Sequence, residues 1–191
     1  PLAAGSKGEA QAGALPAAPT GGAAACQATR SSKITGTGSA LPARAVDNVT
    51  LTAELAARGV ETSDEWIVAR TGIRQRYLAD PDTASSQLAT RAAQAALEAA
   101  GRQAAEVDLI IVATSTPDFV FPSTACLVQH KIGAPHAWGF DLSAACSAFT
   151  YALTVGNTIV ASGGAQYALV IGADVMSSII DYTDRATCVL F

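Results

Sequence analysis

The segment Val107-Asp108-Leu109-Ile110-Ile111-Val112-Ala113-Thr114 limits the folds open to this chain more than any other. A near-continuous aliphatic run of this length, too short for a membrane span, belongs to a strand covered on both faces of a sheet. Just before it, Ser85 to Ala100 has the composition of a long Ala-rich helix. Leu88, Ala92, Ala95, Ala96 and Ala99 fall on one face and Gly101 is its stop. After it the alternation continues with a helix from Ser123 to Ile132, a strand from Trp138 to Leu142, a helix from about Cys146 to Ser162 and a strand from Tyr167 to Ala173. Strands and helices in turn predict a layered α/β architecture.

Upstream, Ile34 to Leu41 alternates Gly, Thr and Ser with aliphatics and closes at Pro42, which predicts a first strand with close backbone neighbours. Asn48 or Thr50 can cap a helix running through Arg58 and ended by Gly59. Thr62-Ser63-Asp64-Glu65 offers a capping box, with Thr62 as N-cap and Glu65 three residues on, for a helix that stops at Gly72. Thr187 to Phe191 reads as a further strand cut off without a turn, so Phe191 is expected to be a truncation point inside a larger domain. The first thirty residues hold nineteen Ala, Gly or Pro, too little apolar bulk to offset the entropy of ordering them. Residues 1–32 are therefore expected to be a disordered tail, with Cys26 incidental in it, and 33–191 to be the folded domain. No basic region followed by an apolar stretch opens the chain, as a secretory signal would.

Charge and cysteine usage remove several function classes. The net charge is -4 and the twelve Lys and Arg are scattered, which argues against nucleic acid as a partner. No apolar run approaches the length of a membrane span. Cys26, Cys126, Cys146 and Cys188 form no C-x-x-C pair and no zinc spacing, so a reducing cytoplasm is the simplest setting. Cys126 and Cys188 read as buried structural thiols, and His130 and His136 as surface residues.

Cys146 stands apart, in Asp141-Leu142-Ser143-Ala144-Ala145-Cys146-Ser147-Ala148-Phe149, between a buried strand and a helix of small residues. There its sulfur meets the positive end of the helix dipole, which favours a thiolate nucleophile, and its small neighbours leave room for an acyl group. On spacing alone, a cysteine that merely fills space fits equally well. Trp66 and Arg70, at i and i+4, set an aromatic plate beside a cation on one helix face, which suits a nucleotide but also suits a core contact next to a solvated one.

Ala145-Cys146-Ser147-Ala148-Phe149 resembles the A-C-[SA]-[GA]-F nucleophile motif of the beta-ketoacyl-ACP synthase III family. Other motifs follow in the same order. Thr62-Ser63-Asp64-Glu65-Trp66-Ile67 with Arg70-Thr71-Gly72-Ile73 is similar to the family's acyl-CoA entrance helix. Ala113-Thr114-Ser115-Thr116-Pro117-Asp118 with Phe121-Pro122-Ser123 is similar to its loop before the dimer-contact helix, and Asp184-Arg185 to its adenine clamp. The likeness covers Lys33 to Phe191.

This resemblance implies the N-terminal half of a thiolase-like fold, whose related second half would complete five alternating layers. It also implies that Cys146 is acylated by acetyl-CoA or another acyl-CoA, and that the acyl group condenses with the carbanion from decarboxylating malonyl-ACP. CoA is a substrate, and no metal or redox cofactor is called for. By the same resemblance, adenine stacks between Trp66 and Arg185, Thr62 hydrogen-bonds near it, and Arg70 helps hold the phosphate end. Phe121, driven to an extended backbone by Pro122, is implied to line the acyl pocket of the partner in a homodimer. The family's catalytic His and Asn, and a Gly N–H of its oxyanion hole, belong to the second half and have no counterpart in this sequence. The 191-residue chain alone is thus expected to lack condensing activity and to self-acylate slowly. Two other readings stay open: a related acyltransferase that passes the acyl group to an alcohol or amine, and a non-catalytic half-fold that only pairs with a full-length subunit.

Overall fold

The computed structural model describes residues 31–191, so the tail expectation and Cys26 lie outside the described residues except for positions 31 and 32. At its centre is a three-stranded parallel sheet in the order β4-β3-β5, formed by β3 (Leu109–Ala113), β4 (Trp138–Leu142) and β5 (Ala168–Gly172). Ile111 of β3 lies opposite Phe140 on one side and Val170 on the other. The crossovers carry α4 (Thr124–Ile132) between β3 and β4, and α5 (Ala148–Ala161) between β4 and β5.

Every residue of β3 is buried, as its aliphatic run predicts, and the pleat divides them between two faces. Ile110 and Val112 pack with Ala89 and Ala93 of α3 (Ser85–Ala100) and with Ala125 and Val128 of α4. Leu109, Ile111 and Ala113 pack with Ala148 and Ala152 of α5 on the other face. The product is helix, sheet and helix in three layers, and each large β3 side chain contributes about 1.5–3 kcal/mol by leaving water. This is the α/β layering expected from the sequence.

A second, smaller core sits on an antiparallel pair, β1 (Arg44–Asp47) and β2 (Gln75–Leu78), that the sequence reading did not anticipate. Between these strands run α1 (Asn48–Ala56) and α2 (Asp64–Thr71). Val46, Leu51, Leu55, Val60, Ile67 and Leu78 close this core together with Cys188 and Val189. Neither helix uses an expected cap: α1 uses neither Asn48 nor Thr50, and α2 uses the neighbour of Thr62. Asp47 caps α1, accepting from the Thr50 N–H at 2.7 Å, and Ser63 rather than Thr62 caps α2, accepting from the Trp66 N–H at 3.2 Å. The stop at Gly72 is as expected, with the glycine at φ +73° closing onto the Val68 carbonyl.

Three expectations are corrected. Residues 34–41 form no strand: no partner strand lies beside them among the described residues, and they run along α3 instead. A Cβ at Gly36 would overlap the Ala96 carbonyl, and one at Gly38 the Ala92 carbonyl, so the close approach read from the glycines is real even though the strand is not. The core-facing stripe of α3 is accordingly Leu88, Ala89 and Ala93, while Ala92, Ala95 and Ala96 take the glycine segment and Ala99 is exposed. Thr187 to Phe191 is a set of turns, not a strand. The Asp184 carbonyl accepts from Cys188 N–H at 3.0 Å, which folds the segment back so that Cys188 and Val189 enter the second core.

Candidate active site

Cys146 follows the C-terminal end of β4, in a 3-10 turn (Ala145–Ser147) that leads directly into α5. Its thiol is exposed, while Ala148, two residues on, is buried beneath the sheet. Ala145 is the only non-glycine residue with positive φ among the described residues, at 47°. A left-handed alanine costs about 1–2 kcal/mol, and strain of this kind collects where a side chain must be aimed. Here it reverses the chain between strand and helix, so that the Cys146 backbone starts at the positive end of the α5 dipole.

The neighbouring loops hold that turn in place. The Asp141 carboxylate on β4 accepts from the N–H groups of Thr124 and Ala125 at 2.7 and 2.8 Å, which ties the end of the strand to the start of α4. Asp174, just past β5, accepts from the Ser115 N–H at 2.6 Å and from the Thr114 hydroxyl at 3.2 Å. Asp118 accepts from the Ser86 N–H at 2.9 Å and so draws the Thr114–Asp118 loop onto α3. Cys146, Asp118 and Asp174 lie past the carboxyl ends of parallel strands, and Asp141 is the last residue but one of β4, so all four gather at the edge where open α/β sheets place their ligands. Sequence reading missed Asp141 and Asp174; each lies within one residue of the end of a predicted strand, and that position was the available signal.

The second group of expected site residues gathers on the smaller core. The Trp66 ring carries the Arg70 guanidinium 4.3 Å from its centroid and the Arg185 guanidinium at 4.2 Å. Three of the four residues expected to meet a nucleotide are thus together, although Arg70 and Arg185 are 115 positions apart in the chain. Thr62, the fourth, does not cap α2; its buried hydroxyl has no partner among the described residues. Phe121 is 89 % exposed in a loop where Phe119 and Val120 are exposed too, and it precedes a cis proline at Pro122. His130 and His136 are exposed, as expected.

Cys126 is a correction. It sits in the first turn of α4, exposed, with its sulfur 3.2 Å from the capping Ser123 hydroxyl, because the buried face of that turn is taken by Thr124 and Ala125. Cys188 is buried as expected. Burial pushes its thiol up, and Asp184 nearby adds to the shift; burial likewise pushes the Tyr182 phenol up. Both groups are neutral in the folded chain over a pH range in which the unfolded chain would already have lost the proton. Stability is then full below about pH 8.5, where an ordinary thiol ionises, and falls as pH rises toward the folded value. Denaturant melts at stepped pH should show this decline above about pH 8.5, and Cys188→Ala should flatten its first part. An unchanged slope in the variant would rule the thiol out as its source.

A polar network borders the Trp66 patch. Asn48, the first residue of α1, donates to Asp64 Oδ1 at 2.7 Å and to the Ile73 carbonyl at 2.8 Å. Its own Oδ1 accepts from Arg76 at 2.9 Å, and Arg76 Nε donates to the Phe191 carbonyl at 3.0 Å. Arg76 is 5 % exposed and has no Asp or Glu partner among the described residues; burial lowers its pKa. Sequence reading saw Asn48 only as a possible cap.

Among the described residues no helix is long and apolar enough to cross a membrane. Residues 140–191 match the family model for 3-oxoacyl-[acyl-carrier-protein (ACP)] synthase III. Among solved structures, the chain is similar to the 3-oxoacyl-[acyl-carrier-protein] synthase III of Aquifex aeolicus, at 48 % identity over 83 % of this chain and 50 % of that one, with a TM-score of 0.77. It is similar to the enzyme of the same name from Pseudomonas aeruginosa, at 43 % identity over 82 % of this chain and 47 % of that one, TM-score 0.75. A third likeness is to the priming beta-ketosynthase of the R1128 polyketide pathway, at 39 % identity over 82 % of this chain and 46 % of that one, TM-score 0.76. The chain spans about half the length of these structures.

Proposed function

Because this chain belongs to the 3-oxoacyl-[acyl-carrier-protein] synthase III family, with its thiolase-like fold, we propose that it takes an acyl group from acyl-CoA onto Cys146 as the first half-reaction of a condensing enzyme. The observation that carries this reading is an exposed thiol aimed by a left-handed Ala145 at the start of α5. The Cys146 sulfur attacks the thioester carbonyl of the acyl-CoA; a new thioester forms at Cys146 and CoA leaves as the thiolate. Dividing transfer from condensation in this way is covalent catalysis, with ping-pong kinetics as its signature.

The CoA nucleotide binds at Trp66, Arg70 and Arg185 in this reading. Arg185 lies over the indole at 4.2 Å, so an adenine slides between them only as Arg185 lifts off the ring. The Thr62 hydroxyl, buried and unpartnered in the free chain, is by resemblance a partner for the base once the site opens, and the exposed Arg70 meets phosphate. Acetyl-CoA is the proposed primer, and malonyl-ACP the partner in the second half-reaction. That step breaks the carboxylate from malonyl-ACP as CO2; the carbanion attacks the acyl-Cys146 carbonyl, a C–C bond forms, and the thioester C–S bond breaks to release 3-oxoacyl-ACP and return the Cys146 thiolate. The second half-reaction uses a His and an Asn that resemblance assigns to the other half of the fold, so this chain alone loads but does not condense. The apolar loop with Phe119, Val120 and Phe121 is the proposed homodimer contact, with Phe121 reaching the partner's acyl pocket, and the cytoplasm is the proposed setting.

Mass spectrometry of the folded chain after incubation with acetyl-CoA tests the reading. The expected result is an acetyl group on the peptide holding Cys146, removed by hydroxylamine as thioesters are. A folded sample that stays unmodified at Cys146 removes the loading role from this chain and favours the pairing-only half-fold.

A further inference from the structure

The polar network between Asn48, Asp64 and Arg76 has a geometry that reaches both sides of the Trp66 patch. Asp64 lies in the first turn of α2, two residues before Trp66, and its carboxylate is held by the Asn48 amide at 2.7 Å. Arg185 lies in the 184–191 turns, whose far end is held by Arg76 through the Phe191 carbonyl at 3.0 Å. Asn48 and Arg76 are themselves joined at 2.9 Å, so one continuous set of hydrogen bonds runs from the helix that carries the ring to the segment that carries the cation above it.

Stability alone gives a poor account of these residues. A buried guanidinium with no Asp or Glu partner is costly, and Arg76 leaves its second terminal nitrogen without any acceptor among the described residues. Its useful product is position: two elements far apart in sequence are kept at a set distance by groups whose hydrogen-bond geometry is directional. We propose that Asn48 and Arg76 are positioning residues that set the gap between the Trp66 ring and the Arg185 guanidinium, and with it the affinity for the nucleotide end of CoA. This rests on the nucleotide reading above.

Exchanging the partners tests it. Asn48→Asp removes the amide donor and sets a carboxylate against Asp64; adding Asp64→Asn restores an amide-to-carboxylate bond in the reverse sense and keeps an acceptor for Arg76. The first readout needs no ligand. In a Trp138→Phe background, acrylamide quenching of Trp66 fluorescence should rise in the single variant and return to the parent level in the double one. The second readout is calorimetric affinity for CoA against pantetheine, which lacks the nucleotide. Asn48→Asp should weaken CoA about tenfold, as loss of one hydrogen bond to a charged group does, and the exchange should recover most of it, with pantetheine unmoved. Quenching unchanged in Asn48→Asp overturns the positioning role, as does a folded double variant that regains neither quenching nor affinity. Trp66→Ala keeps the two ideas apart: if it leaves CoA affinity intact, the nucleotide reading fails, whereas the quenching arm still decides whether the network holds the ring.

Discussion

Cys146→Ser abolishes the hydroxylamine-labile acyl group, with loading by acetyl-CoA expected to fall by about a thousandfold or more. The replacement is nearly isosteric, so the 3-10 turn and the strained Ala145 stay as they are, and what changes is the nucleophile. A thiol is a few per cent ionised near neutral pH and intrinsically reactive, whereas an alcohol needs a base held against it. The helix dipole at α5 favours a full negative charge within its first turn, but that is worth only about 0.3–1 kcal/mol, too little to ionise a serine. Radiolabelled acetyl transfer to parent and variant, with circular dichroism to confirm equal folding, measures the effect. Equal labelling would place the acyl acceptor elsewhere, and the exposed Cys126 would be the first residue to examine.

The largest expected effect on stability comes from Gly139→Val. Gly139 lies opposite Ile110 in the parallel ladder, and a Cβ there would stand 2.5 Å from the Ile110 carbonyl oxygen and 3.1 Å from Ala125 Cβ. Neither neighbour can yield: the first is backbone of the central strand, and the second belongs to α4, whose start Asp141 pins to the same β4. A branched side chain must push strand and helix apart, at a cost of about 3 kcal/mol or more. For a chain of this size that lowers the melting temperature by about 6–12 °C. Thermal melts followed by circular dichroism measure it, with Gly139→Ala as a smaller step in the same direction. A valine variant that melts with the parent would mean that α4 is less closely seated on β4 than this geometry requires.

How far the sequence could be read depended on whether an element is specified by its own residues or by what it meets. β3 was legible because an unbroken aliphatic run has few uses other than a strand with two covered faces. The bounds of α3 were legible as well, because its apolar periodicity ends at a glycine that adopts φ +62°. Residues 34–41 show the opposite case. Alternating glycine and small polar residues mark an extended chain with close neighbours, but whether those neighbours are a strand or a helix is decided by α3, distant in sequence. β1 and β2 were missed for a related reason: each has four residues, with charged or polar groups among them, and each is stable only against the other and the helices between.

The site divides along the same line. Cys146 sits in a local strand-to-helix turn, and Trp66 and Arg70 share one helix, so short stretches of sequence contain their relations. Arg185 was reached through resemblance, and its place over the Trp66 ring depends on turns that the reading took for a strand. Thr62 and Ser63 are neighbouring hydroxyl residues able to cap the same helix. The choice went to Ser63, and the Thr62 hydroxyl was thereby left for something other than the backbone.

The contact of Gly36 and Gly38 with α3 also bears on how this chain can change. Exchanging glycine for alanine commonly stabilises a protein, because the unfolded chain loses freedom it would otherwise regain. Along this seam the rule reverses. Backbone rests on backbone, and the first added methyl group at either glycine meets a carbonyl of α3. Bulk added at Ala95 or Ala100, whose Cβ atoms face the glycines, meets the same seam from the other side. Drift and engineering are both held there to the smallest side chains, and a stabilising programme guided by helix propensity or loop entropy has to look elsewhere in the molecule.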